Sequence, residues 1–273
     1  MTTAKTKINI IIGDPVEHSL SPQMHNSAYK QLGIDNKFVY LAAHVKPEDL
    51  QAAILGARAM QINGITVTIP HKTNVMYFLD EIEETAAKIG AVNTIVNRNG
   101  ALIGINTDWI GVAEPLKQVT DLNKKNVAII GAGGFSHAAV FAMVTNNALV
   151  TIYNRTIENA RELAKKFNCK FAGLDKMEEI KKADIIINAT SVGMQTNKSI
   201  IAKELLHKNQ IIFDAVYVPF ETQLIKNAKE VGATVIHGTE LLLFQGVAQF
   251  ELFTNKKAPI DGMRNAIMEN IKI

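Results

Sequence analysis

Residues 126–156, NVAIIGAGGFSHAAVFAMVTNNALVTIYNRT, constrain this chain more than any other stretch. Residues 127–130 form a short, wholly apolar run, which reads as a strand buried on both faces. Gly131-Ala132-Gly133-Gly134 follows at once, residues 136–144 are apolar and helix-favouring, and 149–153 form a second β-branched run. Strand, glycine turn, helix and strand within about 30 residues make the βαβ unit that binds dinucleotides. Gly131 permits the tight turn. Gly133 lets the backbone approach a pyrophosphate, whose charge then sits on the helix N-terminus. The third place of the glycine fingerprint falls on Ser136, a small residue rather than glycine.

The end of the second strand selects the cofactor. NAD-binding units carry an acidic residue about 20 positions past the glycines, where it holds the ribose 2′-hydroxyl. Asn154-Arg155-Thr156 occupies that place here, without a carboxylate. A guanidinium and two neutral hydrogen-bonding groups suit a 2′-phosphate, so NADP is the expected cofactor.

Composition narrows the remaining classes. A chain of 273 residues has room for two domains. The net charge of +3 is spread along it with no basic stripe and interleaved aromatics, which argues against a nucleic-acid partner. Cys169 is the single cysteine, so there is no internal disulfide and no cysteine metal-site spacing, as in a reducing compartment. No apolar run approaches the roughly 18 residues of a membrane span, and residues 8–12 are too few for a signal-peptide core. The expectation is a cytoplasmic enzyme, monomer or homodimer, that acts on a small molecule without a metal.

Taken in order, residues 7–12 read as a buried strand ending in Gly13-Asp14-Pro15, followed by a helix that runs to about Leu32. Ser21-Pro22 has the signature of an N-cap with proline at the first helical position. Ser19 lies in the loop before it, and two hydroxyls beside a helix N-terminus could bind an anionic ligand group. Residues 38–43, 47–57 and 64–69 read as strand, helix and strand, and the last runs into Pro70-His71-Lys72. Lys72 thus lies just past a strand end, where open α/β sheets place ligands, whereas His71 reads as a packing neighbour. A helix is expected over 75–89. A hairpin turning at Asn97-Arg98-Asn99-Gly100 follows, then Asn106-Thr107-Asp108 opening a helix over 109–118. Further on, 158–167 reads as helix and 183–189, 211–216 and 233–237 as strands, with Thr190-Ser191-Val192-Gly193-Met194 a rim for a nicotinamide ring. The tail, 241–253 and 259–271, is helical and expected to pack back on the first domain.

Together these segments resemble the shikimate dehydrogenase family over nearly the whole chain. The resemblance is carried by residues 13–22 (GDPVEHSLSP) with His25-Asn26, 67–72 (VTIPHK), 90–94 (GAVNT) and Asn106-Thr107-Asp108. The second half adds Gly131 to Gly134, Asn154-Arg155-Thr156, Asn188-Ala189-Thr190 with Gly193-Met194, Asp214-Ala215-Val216-Tyr217 and Gln245. It implies a two-domain α/β fold with a cleft between the domains. Residues 1–107 with 240–273 would be the substrate domain and 108–239 a Rossmann-like NADP domain. It also implies reduction of 3-dehydroshikimate to shikimate by NADPH, in chorismate and aromatic amino-acid biosynthesis.

Carried over by position, Ser19 and Ser21 would hold the substrate carboxylate with Tyr217. Thr68, Asn93, Asp108 and Gln245 would bond the ring hydroxyls, and Lys72 with Asp108 would form the catalytic pair. Gly131, Ala132, Gly133, Gly134, Asn154, Arg155, Thr156, Thr190, Gly193, Met194, Val216 and Gly238 would bind the cofactor. The chain departs from the family pattern at Thr66, usually asparagine, at Asn159, often a second arginine, and at His137, commonly arginine. One hydroxyl replaces an amide at Thr66, so a ring-hydroxyl contact is expected to be lost or water-mediated. The alternatives are a quinate/shikimate dehydrogenase using NAD or NADP, and a shikimate-binding sensor without turnover.

Overall fold

Two sheets, each of six strands, organise the chain. A computed structural model describes residues 2–194 and 196–271. One compact unit runs up to Thr107 and adds Gln245–Asn270; the other is Asp108–Phe244.

In the first unit, β1 (Lys7–Gly13), α1 (Ser21–Gln31), β2 (Phe38–His44), α2 (Leu50–Ala59) and β3 (Gly64–Val67) make two parallel crossovers, with β1 between β2 and β3. Then come β4 (Glu81–Ile82), α3 (Glu84–Ile89), β5 (Thr94–Arg98) and β6 (Ala101–Ile105), giving the order β2-β1-β3-β5-β6-β4. β5 runs antiparallel to both β3 and β6. The carboxyl ends of β1, β3 and β6 and the amino end of β5 therefore share one edge. Asn99 and Gly100 turn the β5–β6 hairpin with φ of +55° and +95°, the pair of left-handed conformations that a two-residue hairpin turn needs.

The helix expected over 75–89 is instead three pieces: a 3₁₀ turn at Asn74–Phe78, the edge strand β4, and α3. The cause is Asp80. Its carboxylate accepts the Leu102 N–H at 2.7 Å and pairs with Arg58 at 2.9 Å, so the chain is pinned beside β6 and adds a parallel strand there.

The second unit begins with α4 (Asp108–Lys117) and continues as β7 (Asn126–Ile130), α5 (Gly134–Thr145), β8 (Leu149–Asn154), α6 (Ile157–Phe167) and β9 (Lys170–Gly173). It then runs through β10 (Ile185–Asn188), β11 (Ile211–Asp214), α7 (Gln223–Glu230) and β12 (Thr234–Ile236). The sheet order is β12-β11-β10-β7-β8-β9 and every pairing is parallel. This is the doubly wound order of dinucleotide-binding folds, with its topological switch between β7 and β10. Helices cover both faces, which is why residues 127–130 and 185–187 are apolar without alternation and fully buried. β9 and α7 go beyond the sequence reading. The signal for α7 was present in Thr222, whose hydroxyl caps the helix by accepting the Ile225 N–H at 3.2 Å.

α8 (Gly238–Thr254) and α9 (Ile260–Asn270) close the chain, and the division between the units falls inside α8. From Gln245 onward α8 packs in the first unit. The Phe253 ring lies where a side chain on Gly64 would stand, within 2.3–2.7 Å of its Cβ position. Among the described residues no helix is long and apolar enough to cross a membrane, and no group of three His, Cys, Asp or Glu side chains is placed to hold a metal ion.

His25 stands at the centre of an aromatic cluster. It stacks on Tyr40 at 4.3 Å between centroids, with Tyr29, Phe250 and Phe253 each at 6.2 Å. It is fully buried, and neither ring nitrogen has a hydrogen-bond partner among the described residues. Burial accordingly pushes the imidazole pKa down to about 3. The folded protein keeps His25 neutral, while the unfolded chain takes up a proton below about pH 6.5, so this contribution to stability is complete above that pH and lost as pH falls toward 3. Between pH 7 and pH 5 the wild type should lose about 2 kcal/mol more stability than His25→Phe. Urea unfolding at each pH measures it, and parallel slopes for the two proteins would refute the assignment.

Candidate active site

In the first unit the segments after β1 and β3 are laced together. The Asp14 N–H donates to the Ile69 carbonyl and the Thr68 N–H to the Ile12 carbonyl, both at 3.0 Å. Gly13 makes this approach possible, because a Cβ there would stand 2.4 Å from the Thr68 methyl. α1 starts at Ser21 itself, with Leu20 at the N-cap and no side-chain cap, so Ser21 is not the capping residue that its Ser-Pro signature suggested. Ser19 takes over part of that task by accepting the Ser21 N–H at 3.3 Å. The Ser21 hydroxyl is thereby released from the helix start. Both serines are buried, with Ser21 2% exposed. Lys72 is half-buried, and its carbonyl accepts the Val92 N–H at 2.8 Å, which ties this loop to the entry of β5. His71 is buried with Nε2 2.7 Å from the Val45 carbonyl, a packing role as expected from the sequence.

Asn93, at the entry of β5, belongs to a buried chain of hydrogen bonds. Its Oδ1 accepts the Thr107 N–H at 2.7 Å and the Thr94 hydroxyl at 2.8 Å, and its Nδ2 donates to Thr107 Oγ1 at 3.0 Å. Gln249 Nε2 donates to Thr94 Oγ1 at 2.9 Å, Thr66 Oγ1 donates to Gln249 Oε1 at 3.0 Å, and the Tyr40 phenol donates to Thr66 at 2.6 Å. The hydroxyl of Thr66 is thus engaged within the protein. Gln245 is also buried and lies one turn before Gln249 in α8. Sequence reasoning gave no role to Tyr40 and Gln249, nor to Thr94 beyond its place in the 90–94 motif; for Gln249 the available signal was two glutamines four residues apart in a helix otherwise rich in apolar residues.

In the second unit Asp108 is the buried first residue of α4, where the helix dipole favours its negative charge. Gly131 follows β7 directly, its φ of +115° is the left-handed region, and a Cβ there would stand 3.0 Å from the Ala189 carbonyl oxygen and the Thr190 methyl. Gly131 is required on both counts. Gly133 and Gly134 are exposed, and a Cβ on either would meet no described atom within 4 Å, so the space before α5 is open. Ser136 is buried and turns its hydroxyl back to accept the Gly133 N–H at 3.2 Å, which holds the turn in place. At the end of β8, Asn154 Nδ2 donates to the Thr156 carbonyl at 2.8 Å, and Arg155 is exposed with no ion pair to a described residue. An open turn at a helix N-terminus beside an unpaired guanidinium fits a dinucleotide with a 2′-phosphate.

Asp214 organises the neighbouring loops. Its buried carboxylate accepts the Thr222 hydroxyl at 2.6 Å, Asn188 Nδ2 at 2.9 Å and the Val216 N–H at 3.1 Å, while burial pushes its pKa upward. Asn188 in turn accepts the Thr190 hydroxyl at 2.7 Å, and Gly193, with φ +104°, lies against Thr222. Met194 completes this loop with its N–H on the Ser191 carbonyl at 3.0 Å. Gly238 abuts the exit of β11, since a Cβ there would be 2.6 Å from the Val216 carbonyl oxygen. Burial pushes the Tyr217 phenol up to about 12, so it stays protonated and able to donate at neutral pH.

Three family descriptions match the chain in succession. These are the shikimate dehydrogenase substrate binding domain over residues 11–95, shikimate / quinate 5-dehydrogenase over 113–226, and the shikimate 5′-dehydrogenase C-terminal domain over 238–268. The chain belongs to the shikimate dehydrogenase family. It is 43% identical to the shikimate dehydrogenase (NADP(+)) of Methanocaldococcus jannaschii over 285 residues, covering 99% of each chain. A shikimate dehydrogenase crystallised with NADP+ has the same fold, with a TM-score of 0.95 at 42% identity over 100% of this chain and 98% of the other. The Thermus thermophilus enzyme, crystallised with NADP(H) and shikimate, aligns with a TM-score of 0.91 at 32% identity over 97% and 99%. Both sheets of this chain are therefore those of the family, and it is an oxidoreductase.

Gly131→Ala tests the glycine turn. Strain at positive φ and the clash with residue 189 should cost about 1–3 kcal/mol of stability, and the added stability that NADP confers on the wild type in thermal unfolding should shrink. An unchanged melting temperature and an unchanged NADP-induced shift would contradict the role given to this position.

Proposed function

We propose that this chain catalyses the reversible, NADPH-dependent reduction of 3-dehydroshikimate to shikimate. The observation that carries the reading is the family match through both units, together with a β8 end that offers Arg155 and no carboxylate to the ribose. Gly131, Ala132, Gly133 and Gly134 bind the pyrophosphate with backbone N–H groups at the start of α5, and Asn154, Arg155 and Thr156 receive the 2′-phosphate. Thr190, Gly193, Met194 and Val216 serve the nicotinamide end, with Gly238 leaving room for the Val216 carbonyl. When bound, the nicotinamide supplies the hydride.

Ser19 and Ser21 hold the substrate carboxylate, and Tyr217 adds a phenolic donor. Thr68, Asn93, Asp108 and Gln245 bond the ring hydroxyls. Asn93 offers its amide N–H rather than its oxygen, because Thr94 and Thr107 fill both lone pairs of Oδ1. Lys72 donates a proton to the alkoxide oxygen as the carbonyl is reduced, and Asp108 orients Lys72 and holds the adjacent hydroxyl. A polyol acid meets many donors and acceptors here, and an analogue that leaves a buried one unpaired is disfavoured.

Lys72→Ala should lower kcat by roughly 10²–10⁴ with a smaller change in KM; a kcat near wild type would remove Lys72 from the chemistry. Arg155→Ala should raise the KM for NADP roughly tenfold or more, leaving that for shikimate unchanged. Both are read at 340 nm, with shikimate and quinate crossed against NADP and NAD for the wild type. Turnover confined to shikimate with NADP supports the proposal. Comparable turnover with quinate or NAD makes the protein a quinate/shikimate dehydrogenase, and silence in every combination from folded protein makes it a sensor.

A further inference from the structure

Along the buried chain from Tyr40 to Asn93 the shortest contacts give one direction of proton donation. Backbone groups set it. The Thr107 N–H can only donate, so the Asn93 atom 2.7 Å away is the amide oxygen. The Asn93 carbonyl can only accept, so the Gln249 atom facing it at 3.4 Å is the amide nitrogen. Gln249 Oε1 then faces Thr66, whose single proton goes to it, and Tyr40 must donate to Thr66 in turn. On the other arm Gln249 Nε2 donates to Thr94, and the Thr94 proton goes to Asn93 Oδ1 at 2.8 Å in preference to Thr107 Oγ1 at 3.3 Å. Thr107 and Thr94 both donate to that oxygen, while Nδ2 donates to Thr107 Oγ1, so the amide is held with its oxygen toward the Thr107 N–H.

We propose that Gln249 is a positioning residue for the substrate site, holding the Asn93 amide in its donor orientation through Thr94. This rests on the reading of Asn93 as a substrate-binding residue and adds to it the group that orients it. Gln249 touches β3 through Thr66, the entry of β5 through Thr94 and Asn93, and it stands on α8 one turn after Gln245. It is fully buried, as are Tyr40 and Thr94, so each unmade bond would leave an unsatisfied group and the network holds as a unit. The network also accounts for Thr66 where the family usually has asparagine. Its hydroxyl accepts from Tyr40 and donates to Gln249, so it is engaged as a link within the network.

The test uses Gln249→Met and Thr94→Val, which keep shape and remove the polar relay, singly and together, in the full-length enzyme. Each single variant should raise the KM for shikimate roughly five- to tenfold, with kcat and the KM for NADP within about twofold of wild type. The double variant should be no worse than the more affected single, because both act on one amide. A shikimate KM within about twofold of wild type in either single variant overturns the proposal, as does full multiplication of the two effects in the double. Thr94→Val is the smaller change and keeps the proposal open to refutation if Gln249→Met does not fold. Asn93→Ala separates this proposal from the reading beneath it. If Asn93→Ala leaves the shikimate KM unchanged, Asn93 is not a substrate ligand, and it is that reading which fails.

Discussion

Strand direction places nearly every group of chemical interest in this protein. A parallel strand brings whatever follows it to the same edge as its neighbours, and both sheets are built on that constraint. In the first sheet Ser19 and Ser21 follow β1, and Thr68 and Lys72 follow β3. The antiparallel hairpin of β5 and β6 brings Asn93 and Thr107 to that edge as well. In the second sheet the glycine turn follows β7, Arg155 follows β8, Thr190 follows β10 and Val216 follows β11. Such an edge suits a site because loops there escape the regular ladder and leave N–H groups and side chains available to a ligand.

Gathering so many loops at an edge creates a second demand, that buried polar groups be satisfied. The second unit meets it with Asp214, which takes one donor from the end of β10 and two from the connection between β11 and α7, and so ties these segments together. Burial raises its pKa, yet each of those donors favours the charged form, so the network and the carboxylate support one another. The first unit meets the same demand without a charge, through hydroxyls and amides whose order of donation runs from Tyr40 to Asn93. Close approach of backbone adds its own requirement, seen at Gly131, where both the conformation and the Ala189 carbonyl leave no place for a side chain.

Much of this was legible in the sequence, and the reasons differ by residue. The β7–α5–β8 unit was plain because an uninterrupted apolar run followed by glycines has few alternative readings. The Asn99-Gly100 turn was legible because few residue pairs tolerate two successive left-handed conformations. The helix over 75–89 misled, since its apolar spacing is real but the Asp80 bonds to Leu102 and Arg58, some 22 residues distant in either direction, break it. Ser21 misled in the opposite sense. Its Ser-Pro signature is local, while the actual start of α1 is set by Ser19 and by packing around Leu20.

By itself the sequence determined the two α/β halves, the β7–α5–β8 dinucleotide unit, the preference for a phosphorylated ribose and the family to which the chain belongs. Those properties are local, written in periodicity, glycine placement and short motifs. Only the tertiary structure decided which buried donor meets which acceptor. Gln249 meets Thr66 from 183 residues away and Thr94 from 155, and Asp214 meets Asn188 across a strand pair. Hydrogen bonds are short and directional, so partners this distant in the chain become specific only once the fold has fixed their geometry.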